Sequence, residues 1–216
     1  ALFGEPGMPA PKEGWQRSRM VTLFPTDAVA RDAARLLQAQ DFFEGCVVQG
    51  VRAVLEQDWV RLTQSQFDPV EITPSFWIVP TWHEPPAAAQ QVIRLDPGLA
   101  FGTGTHPTTR MCLRWIAHHG PVGPRVLDYG CGSGILAIGA AKFGAHEIVA
   151  VDIDPAAVES SRLNAEANHA VLTAGLPDLA RGEHDLVLAN ILATPLKVLA
   201  PLLCAHVRSG GHLVLA

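Results

Sequence analysis

The chain has 216 residues, 48% hydrophobic and 17% charged, with a formal net charge of −5. This balance can bury a core and excludes a largely disordered chain, and the lack of a Lys/Arg cluster argues against direct nucleic-acid binding. No window approaches the roughly 18 unbroken apolar residues that span a bilayer, and no signal peptide is visible, so we predict a cytoplasmic protein without membrane contact.

The first part of the chain combines short strand and helix patterns. Residues 19–24 alternate toward an apolar strand pattern, and Thr26 then caps a helix whose apolar residues recur at helical spacing through Leu37. Three more short elements are predicted downstream: a strand at 46–55, a helix at 58–67 and a strand at 76–79.

These elements predict a small α+β domain over residues 1–80. Residues 81–90, rich in Pro and Ala, have the composition of a linker to a second domain at 91–216. The chain begins with Ala rather than Met, and its last residues indicate a turn entering a strand. We therefore expect a fragment that lacks the start of the first domain and the last strands of the second.

From residue 91 onward, strands and helices alternate regularly. The predicted strands are 126–127, 148–151, 186–189 and 213–215, and the predicted helices are 135–143, 155–168 and 195–204. Buried strands that alternate with helices predict an α/β fold with a doubly wound, mostly parallel, Rossmann-like sheet. In such a sheet the carboxyl ends of the strands border one crevice.

A glycine-rich turn joins the first of these strands to its helix. Its sequence is Asp128-Tyr-Gly130-Cys-Gly132-Ser-Gly134. Glycines let the backbone approach a ligand closely, and the helix start offers free N–H groups. The G-x-G-x-G spacing differs from the G-x-G-x-x-G of nicotinamide-binding enzymes and favours S-adenosylmethionine (SAM). Asp128, Gly130 and Gly132 are therefore candidate cofactor-binding residues.

An acidic residue ends the next strand, about 20 residues after the turn. Asp152 lies where a carboxylate can accept hydrogen bonds from both hydroxyls of an adenosine ribose. Asp154, which precedes Pro155, is better suited to cap the following helix. Ile153 lies between them and is a further candidate contact to the cofactor.

The segment 96–109, with the sequence DPGLAFGTGTHPTT, precedes the core sheet and opens a helix. Its three glycines, several hydroxyls and one aromatic residue suit a loop that wraps around a ligand. Thr105 and His106 are candidate substrate-binding residues, although a lone His before Pro is more often positional than catalytic. No His or Cys has the spacing of a metal ligand, so we predict no metal site.

Asn190 follows the strand at 186–189 and faces the same crevice. Its amide carbonyl can accept a hydrogen bond from an incoming amine while its NH₂ group donates elsewhere. A turn-forming Asn at a strand end is the alternative interpretation of the same residue.

Taken together, the motifs LDPGLAFGTGTHPTT, DYGCGSGILAI, VDIDP and ANILATPL resemble the family of methyltransferases that act on ribosomal protein L11. These are class I SAM-dependent enzymes, and the similarity covers nearly all of residues 91–216. It implies SAM as cofactor and ribosomal protein L11 as protein substrate. The implied SAM-binding residues are Thr109, Gly130, Asp152 and Asn190, with Phe101 and Gly102 closing over the cofactor. The implied acceptors are lysine ε-amino groups and the terminal α-amino group.

Upstream, the motifs DWVRLTQSQFDP and FWIVPTW are more loosely similar to the substrate-recognition domain of that family. The resemblance implies that residues 1–80 form this domain as a partial ferredoxin-like fold. We expect a monomer.

Asn190 is our candidate catalytic residue, which would orient the amine while bulk water takes the proton. Three other hypotheses stay open: a nicotinamide-dependent oxidoreductase, a binding module that has kept the fold without catalysis, and a methyltransferase for another protein amine. Titration with SAM and NAD separates the first from the methyltransferases.

Overall fold

The computed structural model describes residues 19–52, 67–96, 104–120 and 123–216. The chain forms two compact units, residues 1–63 and 64–216. Phe101 and Gly102, the two residues expected to close over SAM, lie outside the described ranges, as does most of the helix predicted at 58–67.

The first unit contains helix α1, Asp27–Gln38. The Thr26 hydroxyl accepts a hydrogen bond from the Val29 N–H at 3.3 Å, which confirms the predicted cap and helix. A single 3-10 turn, Asp41–Phe43, follows.

The strands predicted on either side of α1, at 19–24 and 46–55, are not present among the described residues. Residues 19–24 and 46–52 have no regular secondary structure, and most of their side chains are exposed. A strand forms only when a neighbouring strand completes its hydrogen bonds, and apolar alternation alone cannot supply that neighbour.

The second unit begins with a three-stranded sheet. Its strands are β1, Val70–Thr73, β2, Phe76–Val79, and β3, Gln91–Arg94. β1 runs antiparallel to β2, whereas β2 and β3 are parallel, with Phe76 opposite Gln91. Residues 81–90, which we predict as a linker, therefore connect two neighbouring strands of one sheet.

The larger sheet confirms the predicted doubly wound fold. Its strands are β4, Arg125–Tyr129, β5, Glu147–Val151, β6, Thr173–Gly175, β7, His184–Ala189, and β8, Val207–Leu215. They lie parallel in the order β6-β5-β4-β7-β8. The order reverses between β4 and β7, so the crevice at their carboxyl ends is the topological switch point where such folds bind ligands.

Four helices accompany this sheet: α2, Pro107–His119, α3, Ile135–Lys142, α4, Pro155–Ala167, and α5, Ala193–Ala205. All four match predicted helices, and α2 is the helix that segment 96–109 is predicted to open. None of the helices among the described residues has the length and hydrophobicity that a membrane span requires.

The small sheet shares its hydrophobic core with α2 and α3. Phe76 and Ile93 belong to the same buried cluster as Leu113 of α2 and Ile138 of α3. Gly139 allows this close packing, because a Cβ there would lie 2.6 Å from the Leu113 side chain. The shared core explains why residues 70–79 belong to the second compact unit, although a functional boundary at residue 80 stays a prediction.

Asn168, just after α4, joins that helix to the small sheet. Its buried side-chain amide accepts from the Arg94 N–H and donates to the Arg94 carbonyl, both at 2.7 Å. The amide therefore takes the place that a neighbouring strand would have beside β3.

We expect Asn168→Ala to lower the free energy of unfolding by about 2–3 kcal/mol, because backbone groups of Arg94 lose their partners. Urea unfolding of the full-length protein measures this change. Glu166→Ala, an exposed substitution on α4, is the control and should change stability by less than about 0.5 kcal/mol. Equal stabilities for the two variants would contradict the proposed link.

Candidate functional site

The glycine-rich turn lies between β4 and α3 at the switch point. Gly130, Gly132 and Gly134 have φ values of 79°, 54° and 77°, a left-handed conformation that strains other residues. Gly130 also packs directly against Ile191, so a side chain at 130 would collide with it. Glycine is thus required at Gly130 by conformation and by space.

Asp152 connects this turn to the end of β5. Its Oδ2 accepts from the Gly132 N–H at 2.9 Å, and its Oδ1 accepts from the Asp154 N–H at 3.0 Å. A carboxylate oxygen can accept more than one hydrogen bond, so both oxygens can still serve the hydroxyls of a ribose. The predicted cap is confirmed as well, because Asp154 accepts from the Ala156 N–H at 2.9 Å.

Asp128 lies at the end of β4, below the turn, with only 1% of its surface exposed. Its Oδ2 accepts from the Ala137 N–H at 3.0 Å, while its Oδ1 has no hydrogen-bond partner among the described residues. Burial raises the pKa of Asp128 to about 7, and the nearby charge of Asp152 raises it further, against the Ala137 hydrogen bond. This carboxyl is therefore partly protonated at neutral pH.

The structure brings together two predicted residues that are 81 positions apart. The Asn190 Nδ2 donates to the Thr109 Oγ1 at 3.1 Å. Thr109 is fully buried in the first turns of α2, whereas Asn190 is half-buried at the end of β7. This bond fixes the orientation of the amide and leaves its Oδ1 as the acceptor atom.

The remaining predicted residues lie around these groups. Ile153, next to Asp152, is 81% exposed and can present an apolar surface to a ligand. Thr105 is exposed and lines a small surface pocket with residues that include Ile78 and Leu95. His106 caps α2, because its Nδ1 accepts from the Thr108 N–H at 3.4 Å.

Two residues that shape the turn have no signature in the sequence. Ile191 packs on Gly130, and Ser161 of α4 packs on Gly134. Helical periodicity places Ser161 on a helix without indicating what it faces, so no local pattern could have found this contact.

The described groups fit an adenosine-bearing cofactor. The turn offers a glycine cradle, Asp152 offers two acceptor oxygens, and the buried Asp128 Oδ1 lacks a partner that a ligand N–H or O–H could provide directly or through water. No cluster of three or more His, Cys, Asp or Glu side chains suited to a metal ion is found among the described residues.

Known proteins with similar sequences and structures include several methyltransferases of ribosomal protein L11. A family model described as ribosomal protein L11 methyltransferase (PrmA) matches residues 1–216. The chain is 75% and 55% identical to ribosomal protein L11 methyltransferases of Polaromonas sp. and Ralstonia pickettii. These alignments cover all of this chain and 74% and 72% of the two relatives. A solved ribosomal protein L11 methylase from Lactobacillus delbrueckii subsp. bulgaricus is 36% identical with a TM-score of 0.62, covering 69% of this chain and 79% of its own.

The buried Asp128 predicts a pH-dependent stability. Its folded pKa of about 7 exceeds the usual 3.8, so folding takes up a proton between these values and stability falls as pH rises through 7. Asp128→Asn removes this titration. We expect the variant to gain stability over wild type as pH rises from 4 to 8, by up to on the order of 4 kcal/mol.

Urea unfolding of both proteins across this pH range measures the difference. Asp41→Asn, which changes an exposed aspartate, should show no such gain. A stability difference between Asp128→Asn and wild type that did not vary with pH would contradict the raised pKa.

Proposed function

We propose that this chain, which belongs to the ribosomal protein L11 methyltransferase family, transfers methyl groups from SAM to amino groups of ribosomal protein L11. The observation that carries this proposal is that two polar groups lie at the carboxyl ends of β5 and β7, the two strands that flank β4 in the larger sheet. The carboxylate of Asp152, which is suited to bind a cofactor ribose, directly follows β5. The side-chain amide of Asn190, which Thr109 orients, directly follows β7. Because ribosomal proteins are made in the cytoplasm, we also propose that the protein acts there.

SAM, when bound, would supply a methyl group on a sulfonium; a neutral amine nitrogen would bond to that methyl carbon in line with the breaking C–S bond, and the rest of the cofactor would leave as a neutral thioether. Asp152 is suited to hold the ribose hydroxyls, and the glycine turn allows close approach of the backbone. Ile153 offers apolar surface beside the ribose site, and Asp128 offers its partnerless oxygen. Thr109 contributes by orienting Asn190.

The acceptor must be a neutral amine, because only a free nitrogen lone pair can attack the methyl group. A lysine ε-amino group has a pKa of about 10.4 in water and is mostly protonated at neutral pH. Burial in the crevice lowers an amine pKa, since desolvation disfavours the charged form. We propose lysine ε-amino groups and the terminal α-amino group as acceptors, each releasing its proton to bulk water.

Asn190 provides the positioning that this reaction needs. Its Nδ2 is engaged by Thr109, so its Oδ1 can accept an N–H of the incoming amine. That hydrogen bond would hold the lone pair in line with the methyl group, and such alignment accounts for large rate effects without a general base. Thr105 and His106 remain proposed contacts to the substrate protein.

We expect Asn190→Ala to lower the turnover number for methylation of ribosomal protein L11 by about 10- to 100-fold, because the amine is no longer oriented. Mass spectrometry of ribosomal protein L11, incubated with the full-length protein and SAM, follows the reaction. Glu166→Ala should react as wild type does. Full turnover in Asn190→Ala with loss of SAM affinity alone would remove this role from Asn190.

Asp152→Ala tests the cofactor half of the site. We expect the dissociation constant for SAM to rise by about 10-fold or more, since a charged acceptor of two ribose hydroxyls is lost. Isothermal titration measures SAM binding, and titration with NAD in parallel should show none. Binding of NAD in preference to SAM would favour the oxidoreductase hypothesis instead.

A further inference from the structure

Helix α4 packs directly on the glycine-rich turn. The Asn164 Nδ2 donates to the Ser133 carbonyl at 2.8 Å, and Ser133 is buried in the turn. Ser161, which is fully buried, lies against Gly134, since a Cβ on this glycine would be 3.1 Å from the Ser161 Cα. Ser161 and Asn164 are three residues apart and share one face of the helix. That face therefore contacts two successive residues of the turn.

The bond from Asn164 acts on the peptide unit between Ser133 and Gly134. The N–H of the same planar unit donates to the Cys131 carbonyl at 2.8 Å, so both of its polar groups are engaged. Gly134 has a φ of 77°, and a glycine can leave this conformation at little cost. The orientation of this peptide unit therefore depends on contacts such as the one from Asn164.

The neighbouring residue of the turn is bound to the candidate ribose carboxylate. The Gly132 N–H donates to Asp152 at 2.9 Å, one residue before the carbonyl that Asn164 holds. The turn is thus held from two sides, by the residue that follows β5 and by helix α4. A change in the Ser133 peptide unit would reach Gly132 through a single residue of backbone.

We propose that Asn164 is a positioning residue for the cofactor site, which holds the glycine-rich turn in the conformation that binds SAM. The inference rests on the proposed function, because SAM is the ligand whose binding it affects. If the turn leaves this conformation for part of the time, the apparent dissociation constant rises by the reciprocal of the competent fraction. Bound SAM restores the conformation, so turnover at saturating SAM should hardly change.

Asn168, one helical turn further on, provides a control on the same helix. Its amide bonds to the Arg94 backbone and to the Asn164 carbonyl. None of its side-chain hydrogen bonds among the described residues reaches the glycine-rich turn. Asn168→Ala should therefore cost stability through the small sheet without releasing Ser133.

Isothermal titration of the full-length protein with SAM tests this role. We expect Asn164→Ala to raise the dissociation constant for SAM about five-fold, because one hydrogen bond to the turn is lost. Asn164→Asp, which keeps the shape of the side chain but cannot donate as a carboxylate, should raise it at least as much. Asn168→Ala should stay within about two-fold of wild type, although its unfolding midpoint falls.

Two measurements accompany each titration: the midpoint of thermal unfolding without SAM, and the KM for SAM and kcat in methylation of ribosomal protein L11. For both Asn164 variants we expect KM to rise with the dissociation constant while kcat stays within about two-fold of wild type. A residue that only stabilised the fold would lower the unfolding midpoint and leave KM unchanged below that temperature.

Asn164 variants with a lowered unfolding midpoint but an unchanged dissociation constant and KM for SAM would overturn the inference. An equal rise of the dissociation constant in Asn168→Ala would overturn it as well, because the effect would then follow stability. The proposed function fails separately, if wild type binds SAM but does not methylate ribosomal protein L11. A wild-type protein that bound no SAM would overturn both.

Discussion

The hydrogen bond from the Gly132 N–H to the Asp152 carboxylate joins the turn after β4 to the end of β5. Two more bonds support it, since the N–H groups of Gly130 and Cys131 both donate to the Val151 carbonyl, at 2.8 and 3.0 Å. The turn is therefore shaped by backbone contacts to its neighbouring strand. A cradle that is rigid before the ligand arrives needs little reorganisation on binding, which is why the left-handed glycines and the acidic strand end act as one unit.

The glycine-rich turn and the neighbouring Asp128 lower the stability of the folded protein. Three glycines give up conformational freedom on folding, and Asp128 lies buried with one oxygen that lacks a partner among the described residues. The surrounding strands offset these costs, because β4 and β7 are almost entirely buried and most of their residues are apolar. Such a combination is typical of a binding site, where groups are positioned for a ligand rather than for the stability of the free protein.

Side-chain hydrogen bonds, in addition to strand pairing, link segments of the second unit that are distant in the sequence. Asn168 pairs with the backbone of Arg94, Asp96 holds Thr81, and Asn190 holds Thr109. In each case an amide or carboxylate bonds to a group far away in the chain. Asn168 joins the end of α4 to the small sheet, Asp96 joins the end of β3 to the turn after β2, and Asn190 joins the end of β7 to the start of α2.

Local chemistry made much of the site predictable from the sequence. The glycine spacing, the acidic residue about 20 positions later and the Asp-Pro cap each depend on residues close together in the chain, and the structure has the turn and the cap as predicted. Regular periodicity likewise predicted three of the helices and the strands β4, β5, β7 and β8. The predictions of the two early strands, at 19–24 and 46–55, are wrong for the described residues, because an alternating apolar pattern does not show whether a neighbouring strand is available to pair with.

Contacts between residues that are distant in the sequence depend on how the sheets and helices pack. Residues 70–79 joined the second unit because their apolar side chains pack with α2 and α3, and the amide of Asn190 was oriented by a threonine 81 positions earlier. The pairing of Asp96 with Thr81 depends in the same way on two strands lying side by side. A sequence determines local conformation through neighbouring residues, whereas these contacts exist only after the sheets have formed and packed.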